Sequence, residues 1–254
     1  MSDSDAFPGV VGHERPRAFL EGVLRTGRIP TGFLFHGPAG RGKRLVAEHC
    51  LRRLLKDPSC RLENHPDFDL VAAPEGKTLI PIERLRDLRE WFSRRPFQAD
   101  RRVALFEEAH RMTVEAQNSL LKLLEEPPRG GHLILVASEP SGLLETIHSR
   151  LQRIYFGPLQ GDEAAALVAR GANVPMEVAG ECLMLAQGSP GLAMELARAA
   201  VSGEAGPLDE VAALLDPRAV PFETAERFFA PSYRRGPAGR DALVSLLDLA
   251  VESI

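Results

Sequence analysis

The chain has 254 residues, 44% of them hydrophobic and 26% charged, with a formal net charge of −4, the composition of an ordinary folded protein long enough for more than one domain. A net negative charge excludes attachment to nucleic acid through the overall field, so any DNA contact has to come from a local patch or from partners. Cys50, Cys60 and Cys182 form no disulfide pattern, no apolar run approaches a membrane span and the first residues hold no signal-peptide core, so a protein of the reducing cytoplasm is expected.

Residues 33–36 (Phe-Leu-Phe-His) read as a short buried strand that runs into Gly-Pro-Ala-Gly-Arg-Gly-Lys-Arg at 37–44. Strand, glycine-rich turn and helix in that order are the context of a phosphate-binding loop. Gly37, Gly40 and Gly42 let the backbone curl and aim its N–H groups at phosphate oxygens, and Lys43 would reach the outer phosphates. The next residue of such a loop is a Ser or Thr whose hydroxyl holds Mg²⁺, but here it is Arg44. A guanidinium has no acceptor oxygen and carries a fixed positive charge. The scaffold of a nucleotide-hydrolysing site is therefore present without one residue essential to its chemistry.

A helix is expected from Lys43 to about Leu55, with Cys50 on its apolar side. Further apolar runs at 69–72, 103–106, 133–137 and 153–156 alternate with helical patterns at 82–93 and 114–126, the latter closed by Pro127-Pro128. That alternation predicts an α/β fold, a parallel sheet covered by helices on both faces. Glu107 and Glu108 close the 103–106 strand, where a second nucleotide element would carry its acidic pair. Ser138, directly after the 133–137 strand, completes the set of candidate nucleotide-facing residues. The seven arginines between 84 and 102 read as a solvated helix face rather than a DNA-binding patch. Beyond Pro158 no strand signal remains. Two Ala- and Leu-rich helices are expected over 161–200, broken at Gly171 and again at Gly188-Ser189-Pro190-Gly191, followed by a linker at 202–207 and a last helix around 240–254.

Residues 101–128, and above all Asn118-Ser119-Leu120-Leu121-Lys122-Leu123-Leu124-Glu125-Glu126-Pro127-Pro128, resemble the AAA+ subunits of the bacterial clamp loader. His148-Ser149-Arg150-Leu151 is similar to that family's Ser-Arg-Cys motif, and Gly188-Ser189-Pro190-Gly191 to the turn opening its sensor-2 helix. The resemblance implies a P-loop AAA+ domain over 1–158, a helical lid over 159–203 and a shortened helical collar over 204–254. Motor subunits of the family carry Thr or Ser at the position of Arg44 and an arginine at the position of Leu192. Loss of both, with Arg150 and its neighbour Ser149 retained, is the pattern of the family's delta-prime branch, which His65-Pro66-Asp67 and residues 80–88 also resemble.

The resemblance implies a non-hydrolysing stator of a pentameric ring within a DNA polymerase holoenzyme. Its partners would be motor (gamma/tau) and delta subunits, with the sliding clamp and primer–template DNA reached through the complex and no membrane involved. Arg150 would act in trans on a neighbour's nucleotide. No cofactor is required on this reading, although the remnant loop retains groups that hold ATP or phosphate. The family's four-cysteine zinc module is reduced to Cys50 and Cys60, too few ligands for a structural zinc ion. Two alternatives stay open from the sequence: an active motor ATPase of the same family, and a P-loop adaptor without a trans arginine.

Overall fold

Short continuous apolar runs decide the architecture. In the computed structural model, which describes residues 7–202, five strands form one parallel sheet in the order β2-β3-β4-β1-β5. They are β1 (Gly32–His36), β2 (Phe68–Val71), β3 (Arg102–Phe106), β4 (Gly131–Ala137) and β5 (Gln152–Tyr155). Successive side chains of a strand point to opposite faces, so each central strand feeds two cores. Leu34, Ala104, Phe106, Leu133 and Leu135 pack on one face with α3 (Ile82–Ser93) and α4 (Val114–Glu125). Phe33, Phe35, Val103, Leu105, Ile134 and Val136 pack on the other with α1 (Glu14–Thr26) and α2 (Lys43–Leu54). Burial on both faces is why these strands read as continuous apolar runs. The last helix before β5 is a single turn, α5 (Glu145–His148).

The chain divides into two compact units, residues up to Pro38 with Gly42–Phe156, and Ala39–Arg41 with the segment from Gly157 onward. Among the described residues the second unit contains α6 (Asp162–Ala172), α7 (Met176–Leu185) and α8 (Pro190–Ser202) around their own apolar core. There are thus three helices where two were expected. Gly171 does not break α6; a Cβ there would overlap the side chain of Met194, so its missing side chain lets α8 approach. The break falls at Asn173, in the left-handed conformation at φ 57°, followed by Val174-Pro175. Helix α1 was not anticipated, because its sequence is polar and Leu20 is its one fully buried residue. The expected final helix around 240–254 and nearly all of the expected linker lie outside the described residues. No helix of the described residues is long and apolar enough to cross a membrane.

One buried charge holds the loop between α3 and β3. Asp67 is fully buried and accepts the backbone N–H groups of Phe97 (2.7 Å), Gln98 (2.7 Å) and Ala99 (2.8 Å). Arg102 Nε lies 3.6 Å from Asp67 Oδ1, and its guanidinium sits 4.6 Å from the centre of the Trp91 ring while donating to the Trp91 and Arg95 carbonyls. His65 Nδ1 accepts the Asp67 N–H at 3.1 Å. The His-Pro-Asp run is therefore a structural anchor. Burial alone would raise the Asp67 carboxyl, but the three N–H donors and Arg102 outweigh it and hold its pKa below the ordinary 3.8. A depressed carboxylate pKa contributes stability that is complete above the unfolded value and lost as pH falls through the folded one. Asp67→Asn should cost about 2–5 kcal/mol at pH 7, since an amide leaves N–H groups and a buried arginine unpaired. Urea denaturation should show that gap narrowing below pH 3.8.

Candidate functional site

Strand β1 lies between β4 and β5 and delivers the chain at His36 into the 37–44 loop. The carbonyl of His36 accepts the Phe156 N–H at 2.8 Å. Gly37 has φ 136°, and a Cβ there would overlap the Phe156 carbonyl oxygen, so glycine is required. Gly42 caps α2 at φ 76°. The curl expected of a phosphate-binding loop is thus built into the backbone, and α2 starts at Lys43 as expected.

The side chains of that loop are turned to other work. Lys43 is 4% exposed, and its ammonium donates to the carbonyls of Gly37 (2.5 Å) and Pro38 (2.7 Å). Arg44 donates through Nε to Glu48 Oε1 (3.0 Å) and through Nη1 to Glu107 Oε1. Glu48 also accepts from Arg52 at 3.2 Å. Burial alone would lower the Arg44 pKa, but the Glu48 hydrogen bond and the Glu107 charge raise it above its ordinary value. Two cations in the first turn of α2 oppose the helix dipole, which favours anions there. Glu48 and Glu107 offset this within the chain. The Arg44–Glu107 pair is half-exposed, so each such bridge contributes about 0.2–1 kcal/mol. In a magnesium site the metal links the loop hydroxyl to the acidic strand end, whereas here a guanidinium makes that link directly. These residues do not fit a Mg²⁺ ion.

The acidic end of β3 is strained. Glu107 donates its N–H to the Val71 carbonyl at 2.9 Å, and Glu108 sits in the left-handed region at φ 48° and ψ 52°. A non-glycine residue there costs on the order of 1 kcal/mol or more and needs support. Ser138, from the end of the adjacent strand β4, donates to Glu108 Oε1 at 3.1 Å, and His110 Nδ1 lies 3.5 Å from Oε2. Glu108 and Ser138 are therefore brought together, as neighbouring parallel strand ends require.

Within the second unit, the loop tip Ala39–Arg41 bonds to the turn before α8. Ser189 Oγ donates to the Ala39 carbonyl (2.9 Å), Gly191 N–H to the Gly40 carbonyl (2.9 Å) and Arg41 to the Gln187 carbonyl (3.1 Å). Gly40 (φ 70°) and Gly191 each leave no room for a Cβ beside the other segment. Leu192, the residue after this turn, carries no charge to offer a phosphate.

Arg150 lies on the turn between α5 and β5, on a stiff mount. Ile147 and His148 are buried before it and Leu151 after it, and its own N–H donates to the Ile147 carbonyl at 3.1 Å. Ser149 Oγ bonds the Thr146 carbonyl at 3.0 Å. The guanidinium donates through Nη1 to the Thr146 carbonyl (3.0 Å) and through Nη2 to Glu125 Oε1 (2.7 Å). Gln117, 3% exposed near the start of α4, ties the preceding segment. Its amide donates to the Met112 (3.2 Å) and Gly142 (2.9 Å) carbonyls, and its oxygen accepts the Leu144 N–H at 2.8 Å. Sequence reading missed both Gln117 and Glu125. A polar residue on the inner side of an apolar helix was the available signal for Gln117.

Parallel pairing then fixes where Arg150 stands. Residues 33–36 of β1 pair with 152–155 of β5. The loop follows the carboxyl end of β1, while Arg150 precedes the amino end of β5. A five-residue strand separates the two ends by about 16 Å.

The three cysteines are free, and Cys50 is buried in α2, which pushes its thiol pKa far up. Among the described residues no three His, Cys, Asp or Glu side chains come together in a way that could hold a metal ion.

A family model described as "DNA polymerase III, delta subunit" matches residues 12–160. The chain is 36% identical over 180 residues to DNA polymerase III subunit delta' of Pseudomonas aeruginosa, covering 65% of this chain and 55% of that one. It is 35% identical to the delta' subunit of Bacillus subtilis (58% and 48% covered) and 34% identical to the gamma/tau subunit of Mycobacterium tuberculosis (65% and 31%). It spans about half the length of the delta' relatives it matches. Among solved structures it is similar to the RuvB Holliday junction branch migration motor of Thermotoga maritima, with TM-score 0.56, 17% identity and coverage of 96% and 86%. A gamma subunit-related protein of DNA polymerase III from the same organism gives TM-score 0.51, 16% identity and coverage of 91% of each chain. These structural likenesses, at 16% and 17% identity, show a shared α/β fold.

Replacing Gln117 by Leu should leave two carbonyls and one N–H without partners and lower stability by about 2–4 kcal/mol. Chemical denaturation checks this, and a change within 0.5 kcal/mol, about that of an ordinary surface substitution, would contradict the account of the mount.

Proposed function

Since the chain belongs to the DNA polymerase III delta/delta-prime subunit family, we propose that it serves as a non-hydrolysing subunit of the clamp loader and lends Arg150 to a neighbouring ATPase. The observation that carries this reading is the placement of the two elements. Loop 37–44 and Arg150 stand at opposite ends of paired parallel strands, so the arginine is out of reach of its own loop. An arginine facing away from its own site can act on the nucleotide of an adjacent subunit. The charge that phosphoryl transfer spreads over γ-phosphate oxygens is what such an arginine stabilises.

The loop supports the non-hydrolysing half. Lys43 is engaged with its own loop carbonyls, Arg44 stands where a metal-binding hydroxyl is needed, and Leu192 stands where the motor subunits of the family carry an arginine. The remnant then acts as structure: its tip is bonded to the 187–191 turn. On this reading residues 1–158 are the AAA+ domain, 159–203 the lid and 204–254 a collar for ring assembly. The partners are gamma/tau motor subunits and delta, through which the ring handles the sliding clamp and primed DNA in the cytoplasm.

The isolated chain should show no ATP turnover above a Lys43→Ala control. In a ring reconstituted with gamma/tau and delta subunits, Arg150→Ala should leave assembly intact. Hydrolysis at one neighbouring site should fall by about 10³-fold or more. Arg150→Lys should not restore it, because an ammonium cannot reproduce the bidentate fork. Unchanged ATPase and clamp loading in the Arg150→Ala ring would overturn the trans role.

A further inference from the structure

We propose that Glu125 is a latch on Arg150, a positioning residue that holds the guanidinium in the unengaged subunit and is displaced when a neighbour's phosphate arrives. The inference rests on the trans-arginine reading above. Its basis is the pair of contacts on Arg150, which differ in kind. The Thr146 carbonyl, 3.0 Å from Nη1, is neutral and belongs to the turn just before the arginine, so it fixes direction and leaves the charge intact. The Glu125 carboxylate, 2.7 Å from Nη2, sets an opposite charge against it. An arginine that keeps a carboxylate on Nη2 presents a phosphate with a partly offset charge and one occupied edge, which weakens a bidentate grip. Glu125 and a phosphate therefore compete for the same guanidinium.

The position of Glu125 in α4 points the same way. It is the last residue of the helix, whose carbonyl end carries partial negative charge and favours Lys or Arg over Glu. A carboxylate here weakens the helix unless a cation answers it, so helix stability alone does not account for the residue. Its backbone is nonetheless well fixed. Leu124 beside it and Leu151 beside Arg150 are both buried and meet over Gly32, where a Cβ would overlap Leu151. Glu126 N–H closes the helix on the Lys122 carbonyl at 3.1 Å, and Pro127-Pro128 prevents its continuation. The two charges are thus presented from neighbouring rigid elements. Their side chains are 36% (Arg150) and 50% (Glu125) exposed, so the pair is weak enough to be exchanged for a phosphate.

The test is Glu125→Gln in the full chain, assembled with gamma/tau and delta subunits. A weak exposed pair corresponds to a change of about 2–5-fold. The KM for ATP at the neighbouring site should fall by that factor and DNA-independent turnover should rise by a similar one, with the DNA-stimulated kcat unchanged. A purely structural role would not divide KM from kcat in this way. In an Arg150→Ala ring the same substitution should do nothing. Glu126→Gln removes an equal charge from the same helix end and should also leave the ring unchanged. A lower kcat in Glu125→Gln would make Glu125 an aid to catalysis and overturn the latch. So would no effect at all in a ring whose Arg150 is shown to matter. A silent Arg150→Ala ring overturns the trans-arginine reading, and the latch falls with it.

Discussion

Pairing of β1 with β5 in parallel, Phe33 opposite Gln152 and His36 opposite Tyr155, is the constraint from which the placement of the candidate functional groups follows. Parallel strands send all their carboxyl ends one way. Loop 37–44, the Glu107-Glu108 pair and Ser138 consequently gather at that end, and Arg150, which enters β5, stands at the other. No side-chain rotation closes a gap of about 16 Å. Whatever Arg150 does to a phosphate, it does to one held elsewhere.

At the carboxyl ends the side chains that a metal-dependent site would use are engaged in a set of internal contacts. Arg44 joins α2 to the end of β3 through Glu107, Lys43 is tied to Gly37 and Pro38, and Ser138 steadies a strained Glu108. Each bridge is weak alone. Together they satisfy a helix start crowded with positive charge that in a working site would be satisfied by the anion itself. The backbone curl survives because glycines at 37 and 40 are demanded by the Phe156 carbonyl and the Ser189-containing turn, independently of any nucleotide.

Much of this was legible in the sequence because it is local. Apolar runs mark the strands, three glycines and a lysine mark the loop, and Arg44 marks the absence of the Ser or Thr hydroxyl at that position. What escaped was long-range or disguised. Glu125 meets Arg150 across 25 residues and Asp67 meets Phe97 across 30, separations that no periodicity reports. Helix α1 hides in a polar sequence, and Gly171, read as a breaker, is a packing residue against Met194. The turn residues Asn173 and Pro175 were the better stop signal.

The decisive experiment for the trans role of Arg150 is a structure of the assembled ring trapped with a phosphate-mimicking metal fluoride and nucleotide. The Arg150 guanidinium should lie within about 3 Å of the fluoride in a neighbouring subunit, a hydrogen-bond distance. The 37–44 loop should hold no magnesium nucleotide. Magnesium nucleotide seated on Lys43 and Arg44, with Arg150 still paired to Glu125 and remote from every neighbouring phosphate, would contradict the trans role.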